Sequence, residues 1–429
     1  MRIVYTPTLL LVLLAGLSLP VFAAEWSVEP RISARSGYND NVRLTTANHD
    51  SVWEADVTPA VKFGVSTENQ GLFGNADVSI RRFYGGSGAN SSSLLDREDY
   101  HFKVNSYQRT ERNNFGANIE FTRDSTLDTE LTQTGQVIEN RATRSSTILN
   151  PSWTRLINEK TRLELEYQFN RVEYSDEVGQ NNLVNYDFNT VSASLVRNFT
   201  ERTQGTLSTS ASRYKPETGL NSDTYALQVG LTRQHSETLS TSWLAGWRNT
   251  RSDTLEPTGV CFPDASASFP KCPPGPPVNF PVQTGTNTDE TTNTGAVYAA
   301  TITKTLERGS LGASLSRIAT PSGEGELLDT TRLALTGEHR FTELLRSNLT
   351  IEYYKRDTIV NASGTGNIDT NNRNYFRIRP SITWQWQREW QLSGQYQYAE
   401  DENTNGDTAT QNSVYLTLTY RPTKIFTSR

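Results

Sequence analysis

Few residues of this chain could carry covalent or metal chemistry, and none of them stands at a spacing that such chemistry needs. The four histidines are His49, His101, His235 and His339, and none has a partner at metal-ligand spacing. No glycine-rich motif that would cradle a phosphate occurs. Glu164 and Glu166 lie two apart, so on a strand they share one face. Paired carboxylates can divide acid and base roles, but the same pair also makes a plain hydrated wall. The sequence therefore names no catalytic residue, no cofactor site and no metal site, and the chain reads as not an enzyme. A Ser/His/Asp set assembled only in space stays open. Cys261 and Cys272, separated by ten residues in a proline-rich stretch, read as a disulfide in an exported chain. Such a closed loop suits a rigid plug, a partner-binding tip or a protease-resistant surface loop. Two cysteines without a nearby histidine make a poor metal site.

The elements that must position these residues read as strands. From Glu29 to Arg421 there are about eighteen segments of about ten residues, the length a tilted strand needs to cross a bilayer. Short connections fall at 67–70, 110–112, 157–159, 200–202, 236–237, 306–308, 342–345 and 388–389. Long ones fall between them, at 39–51, 85–96, 124–142, 176–185, 215–221, 253–289, 320–326, 359–370 and 400–410. This alternation predicts an all-β fold: a transmembrane antiparallel β-barrel with short periplasmic turns and long extracellular loops. Sixteen and twenty are the neighbouring even counts. Residues 143–156 alternate poorly and contain Pro151, and the pattern shifts between Phe169 and Val172, as at a bulge.

Period-two alternation assigns the faces. Leu163, Leu165, Tyr167 and Phe169 oppose Arg162, Glu164, Glu166 and Gln168. Phe376, Ile378, Pro380, Ile382 and Trp384 oppose Arg377, Arg379, Ser381 and Thr383. An eighteen-stranded lumen is too wide for side chains to fill, so the polar set should face water inside and the apolar set lipid outside. Arg162, Glu164, Glu166, Arg332, Glu352, Arg377 and Arg379 are the candidate lumen-lining charges. Trp243, Trp247, Trp384, Trp386 and Trp390 are candidate membrane-interface aromatics. A wall of mixed charge suits a neutral or weakly charged polar solute.

Bulk properties agree with export rather than nucleic-acid binding. The formal charge is −6, or −7 without Arg2. Mean hydropathy is −0.59, and no run of about eighteen apolar residues follows the N-terminal segment. Residues 1–23 read as a signal peptide, with an apolar core from Leu9 to Leu19 and a cleavage site at Val21-Phe22-Ala23. Residues 24–429 then form one domain, with strands to about 421 and a tail over 422–429. Tyr420 or Phe426 would supply the aromatic that ends the last strand.

Ile32-Ser33-Ala34-Arg35 followed by Tyr38-Asn39-Asp40-Asn41-Val42 resembles the opening of putative β-barrel porin 2 type outer-membrane proteins. The resemblance implies the cell outer membrane, a barrel tied to exopolysaccharide export and periplasmic export proteins as partners. The leading expectation is thus a passive polar conduit for a secreted exopolysaccharide. The alternatives are a general diffusion porin for small hydrophilic solutes, and a structural or adhesive barrel acting through its loops. The partners expected are outer-membrane lipid and a polysaccharide or small polar solute, with no nucleic acid.

Overall fold

The computed structural model describes residues 24–429 apart from 47–48, 50, 86–94, 134–140, 176–182, 220, 258–259, 262–281, 284–285, 361–372, 403–405, 423–425 and 429. The N-terminal segment 1–23 and Cys272 lie outside the described residues, so the leader and the disulfide do too. Cys261 contributes only backbone, paired with Val282 in a two-residue ladder.

Eighteen long strands follow one another as β1 (Glu25–Asn39), β2 (Val52–Ser66), β3 (Gln70–Gly85), β4 (Arg97–Arg109), β5 (Asn113–Ser125), β6 (Thr143–Asn158), β7 (Thr161–Ser175), β8 (Tyr186–Thr200) and β9 (Thr203–Pro216), then β10 (Ser222–Gln234), β11 (Leu239–Pro257), β12 (Thr286–Leu306), β13 (Gly309–Pro321), β14 (Leu327–Arg340), β15 (Leu345–Val360), β16 (Arg373–Trp384), β17 (Trp390–Glu402) and β18 (Thr408–Tyr420). A short helix, α1 (Thr126–Gln133), lies between β5 and β6. Each strand pairs antiparallel with the next, and β1 pairs with both β2 and β18, which closes the sheet into a barrel. A last short strand, β19 (Phe426–Ser428), pairs with Trp26–Val28 of β1. The tail thus continues the β1 ladder below Tyr420, and β1 begins earlier than its apolar residues suggest.

The strands tolerate proline where the ladder can spare a donor. Pro59, Pro151 and Pro380 each keep a partner on one neighbouring strand and interrupt the ladder on the other. All three lie exposed on the outer face. This is how β6 remains a full strand despite Pro151: the missing N–H removes one hydrogen bond, not the element. The register between β6 and β7 is uniform through Phe169 and Val172, so no bulge lies there.

The outer face carries the apolar set. Val57, Val191, Val229, Ile382, Val414 and Leu416 are each 45% exposed or more. A girdle of aliphatic side chains around a closed barrel is far larger than any apolar patch a water-soluble protein leaves bare, so the barrel spans a membrane. Aromatics gather at both ends of the outer face: Trp53 and Tyr84 pair beside the long loops, and at the short-turn end Trp384, Trp386, Trp390 and Tyr420 form a contact series, Trp386 and Trp390 stacking at 6.2 Å. Trp243 and Trp247 also face outward, 53% and 60% exposed. β11 runs on to Pro257, so Trp247 stands at mid-strand rather than at its end. The next outward residue is Asn249, so Trp247 instead caps the apolar stretch of that strand.

The assignment of faces predicts a pair of outcomes. Val229→Arg places a charge in the middle of the lipid girdle and should destabilise the barrel by about 2–4 kcal/mol. Gln228→Arg, one residue away and facing inward, should cost far less. Denaturant unfolding of the two variants in lipid checks this, and a larger cost for Gln228→Arg would show that the faces are reversed.

Candidate functional site

The lumen is a candidate path whose wall chemistry varies around the barrel. On β8–β11 it is mostly hydroxyl-lined: Thr190 donates to Ser212, Ser194 to Ser208, and Thr224 pairs with Thr250 and Thr232 with Ser242, all at 2.9–3.0 Å. On β1–β4 and β14–β16 it is charged. Arg35, Glu54, Asp56, Arg81, Asp99 and Arg97 form a zipper across β1–β4. Arg35 contacts Glu54, Arg81 Nε lies 2.9 Å from Asp56, and Arg97 Nε 3.2 Å from Asp99. His101 sits between Asp77 and Asp124, its two ring nitrogens 2.6 and 2.7 Å from their carboxylates. With both nitrogens engaged, this imidazole has no free edge to act as a base.

Four of the seven candidate lumen charges converge. Arg332 Nη2 lies 2.6 Å from Glu352 Oε1, Arg377 Nε 3.0 Å from Glu352 Oε2, and Arg379 Nη2 3.4 Å from that same oxygen. One carboxylate serves three guanidiniums, which leaves two positive charges without a carboxylate in the cluster. Arg162, Glu164 and Glu166 also face inward but lie apart from it on β7. Arg162 bonds Glu164 at 2.6 Å and Glu166 accepts from Asn150 at 2.7 Å. The two glutamates are thus bound separately rather than poised against one another.

The long-loop half of the lumen is not an open tube, a point that the alternation of strand faces leaves open. Among the described residues three inward-folded segments fill part of it, the third being the loop after β1 at the barrel seam. The first is α1. Ser125 caps it, its Oγ accepting from Leu127 N at 3.4 Å. Leu127 packs with Val52, Phe83 and Leu95, while Glu130, 1% exposed, accepts from Tyr174 OH at 2.6 Å and pairs with Arg144 Nε at 3.0 Å. The second is the tip of the β13–β14 hairpin. β12 pairs with β13 only from Tyr298 to Leu306, whereas its ladder with β11 runs from Thr286 to Lys304. Beyond Arg317 the hairpin has left β12. Tyr214 OH donates to Ser322 O at 3.0 Å and Val184 N to Gly323 O at 2.7 Å, on the β7–β9 side of the barrel. Asp329 meets Arg248 of β11 at 2.6 Å across two intervening strands. The turn needs glycine at Gly325, φ +83°, and a Cβ on Gly323 would stand 2.6 Å from Tyr174 OH.

These contacts explain the shift in pattern on β7. Val172 and Tyr174 keep the inward parity of Arg162 to Gln168, and Val172 joins Tyr186, Tyr214 and Leu327 in an apolar cluster inside the barrel. The strand does not change phase; its inner wall changes from wet to covered.

The residues Tyr38 to Val42, singled out by resemblance, lock the barrel seam. Asp40 accepts from Asn412 N at 2.6 Å and from its side chain at 2.9 Å. Asn41, 1% exposed, accepts from Thr45 N at 3.1 Å and donates to the carbonyls of Thr45 and Thr410 at 2.9 Å, while Gln411 donates to the Asn41 carbonyl at 2.7 Å. The clamp turns Val42 and Leu44 into the lumen. Leu44 adopts φ 50°, a left-handed backbone that costs about 1–2 kcal/mol for a non-glycine residue. Its burial against Tyr354, Tyr375, Ala399 and Ala409 holds it there.

Between this inward loop, α1 and the wall remains a cleft of about 220 Å³. Among the described residues, Arg35, Arg43, Arg81, Arg97, Arg377 and Arg379 line it against one carboxylate, Glu54, with Gln395, Gln397, Gln411 and Tyr415 beside them. Arg35, Arg81 and Arg97 carried no distinctive sequence signal, since each looks like any inward charge on a strand. Only the closure of β18 onto β1 brings them beside Arg377 and Arg379.

No family model and no curated protein matches the chain. Solved structures similar to it include the outer membrane channel DcaP of Acinetobacter baumannii, at 11% identity and a TM-score of 0.46, covering 93% of this chain and 98% of that one. OccAB4 of Acinetobacter baumannii is similar at 10% identity and a TM-score of 0.43, covering 93% of this chain and 98% of its own. OpdL of Pseudomonas aeruginosa is similar at 12% identity and a TM-score of 0.43, covering 94% and 99%.

Proposed function

We propose that this protein is an outer-membrane channel through which small hydrophilic solutes diffuse. The observation that carries the reading is the closed eighteen-strand barrel with aliphatic side chains outside and hydroxyl and charged groups inside. A membrane barrel with a polar interior provides a path for what lipid excludes. The inward-folded α1 and hairpin tip favour small solutes over a polymer, because a chain of sugars would have to displace both. The exopolysaccharide reading rests on the wide polar lumen and on the resemblance carried by Ile32–Arg35 and Tyr38–Val42, and the residues of the second segment have a sufficient role in the seam. The adhesive reading rests on the loop 253–289, most of which lies outside the described residues.

Reconstitution tests the proposal directly. In planar bilayers the folded barrel should give discrete conductance steps. In liposomes it should admit monosaccharides faster than disaccharides and exclude long oligosaccharides. A barrel that conducts no ions and admits no sugar would overturn it. Free passage of long oligosaccharides would favour the polymer conduit instead.

A further inference from the structure

We infer that the arginine-lined cleft beside β1 and β16–β18 is a binding subsite for a small hydroxylated carboxylate, the size of a sugar acid. The inference deepens the channel reading and rests on it for its role in transport. Around Glu352 three guanidiniums share one carboxylate, so the cleft has positive charge to offer. Arg379 is the member best placed to offer it. Its Nη2 makes the longest of the contacts to Glu352, 3.4 Å, and its side chain is 34% exposed, against 6% for Arg377. A planar guanidinium with a free edge takes a carboxylate through two parallel hydrogen bonds.

The neighbours of Arg379 suit hydroxyl groups rather than further charge. The β16–β17 ladder pairs Ile378 with Tyr398, which sets Arg379 beside Gln397, and Gln395 follows on the same inward face. Each amide offers both a donor and an acceptor, the pairing that a sugar hydroxyl satisfies. Gln397 donates to Gln411 at 3.0 Å, which orients its amide. Next to Gln395 on β18 stands Tyr415, whose ring lies 4.8 Å beneath the Arg35 guanidinium and continues the same wall toward β1. The cavity of about 220 Å³ holds a molecule of hexose size and no polymer. Acid at one end and hydroxyls along the other is the chemistry that these groups recognise together.

Two measurements separate this inference from the channel reading. Isothermal titration of D-glucuronate, D-glucose and inorganic phosphate into the detergent-folded barrel reads the subsite without conduction. Glucuronate should bind, and glucose and phosphate should bind much more weakly. Arg379→Gln should weaken glucuronate by about tenfold or more, the loss of one charge-assisted pair. Arg162→Gln, which removes a lumenal arginine outside the cleft, should retain binding. In bilayers, glucuronate should interrupt the wild-type current in brief closures that glucose does not produce. Equal binding of phosphate would reduce the site to a general anion site and overturn the inference, as would equal binding of glucose or an unaffected R379Q. Binding without any conductance would sustain the subsite and strike the channel reading alone.

Discussion

Excising residues 318–330 and joining Arg317 to Thr331 through an Asn-Gly turn should raise single-channel conductance several-fold while the barrel still folds. The excised segment is the part of the β13–β14 hairpin that has left β12 and lies across the lumen toward β7–β9. Its attachments toward β7–β9 are modest one by one, while Asp329 pairs with the buried Arg248 of β11. Tyr214 OH to Ser322 O, Val184 N to Gly323 O and the packing of Leu327 against Val172, Tyr186 and Tyr214 are each a single hydrogen bond or a few apolar contacts. Tyr214→Phe alone removes one bond, worth about 1 kcal/mol, and should leave the tip in place and the conductance little changed. Excision acts differently because it removes the obstruction itself. The β12–β13 ladder, the lipid girdle apart from Ile318 and the turn chemistry are kept, since Asn-Gly suits a two-residue hairpin, and the β14–β15 ladder gives up only its last pairs, Leu327 to Thr330. The losses are local: Arg248 and Arg317 give up Asp329, and three lumenal apolar side chains become wet. Water entering the vacated lumen solvates Arg248, so its charge does not remain buried and unpaired. Single-channel recording with neutral polymers of increasing size reads the result, and a conductance equal to wild type would place the hairpin outside the ion path.

The sequence made the strands and their faces legible because both depend on local pattern. A period of two and the alternation of short and long connections survive whatever the strands later touch, and every connection found lies where the pattern put it. The charge cluster was legible in part. Arg332, Glu352, Arg377 and Arg379 could each be assigned to the inner face, but which of them would meet depends on register between three strands. What escaped has one physical origin. Val172, Tyr174, Tyr186 and Tyr214 are apolar or aromatic on strands, and in sequence such residues look the same whether they face lipid or a segment folded into the lumen. The segments that cover them gave no signal of their own: α1 spans two turns of ordinary polar composition, and the departure of β13 from β12 is fixed by contacts with β7–β9 and β11, strands it does not pair with. The motif Tyr38–Val42 was visible, but its purpose was not, because its partners Thr410, Gln411 and Asn412 lie at the other end of the chain.

Glu352→Gln should change both stability and ion selectivity, and the two effects together locate the charge cluster. Glu352 has 4% of its side chain exposed and accepts from Arg377 Nε, Arg332 Nη2 and the Tyr354 hydroxyl. Glutamine keeps the shape and one acceptor but removes the only carboxylate among three guanidiniums. Breaking a buried ion pair by neutralising one partner costs about 3–5 kcal/mol, because the other charges stay desolvated. Arg377, 6% exposed, bears most of that cost; Arg332 and Arg379, at 47% and 34%, are screened by water. Denaturant unfolding should therefore show a loss toward the lower end of that range. The lumen also gains one net positive charge beside the cleft, so the reversal potential in a salt gradient should move toward greater anion preference. Glu164→Gln supplies the comparison. Its pair with Arg162 is 39% and 32% exposed, and such a pair contributes about 0–1 kcal/mol. It should barely affect unfolding. A selectivity shift in E352Q without a stability loss would mean that water already screens the cluster. A stability loss without a selectivity shift would mean that ions pass along the hydroxyl wall of β8–β11, away from the arginines.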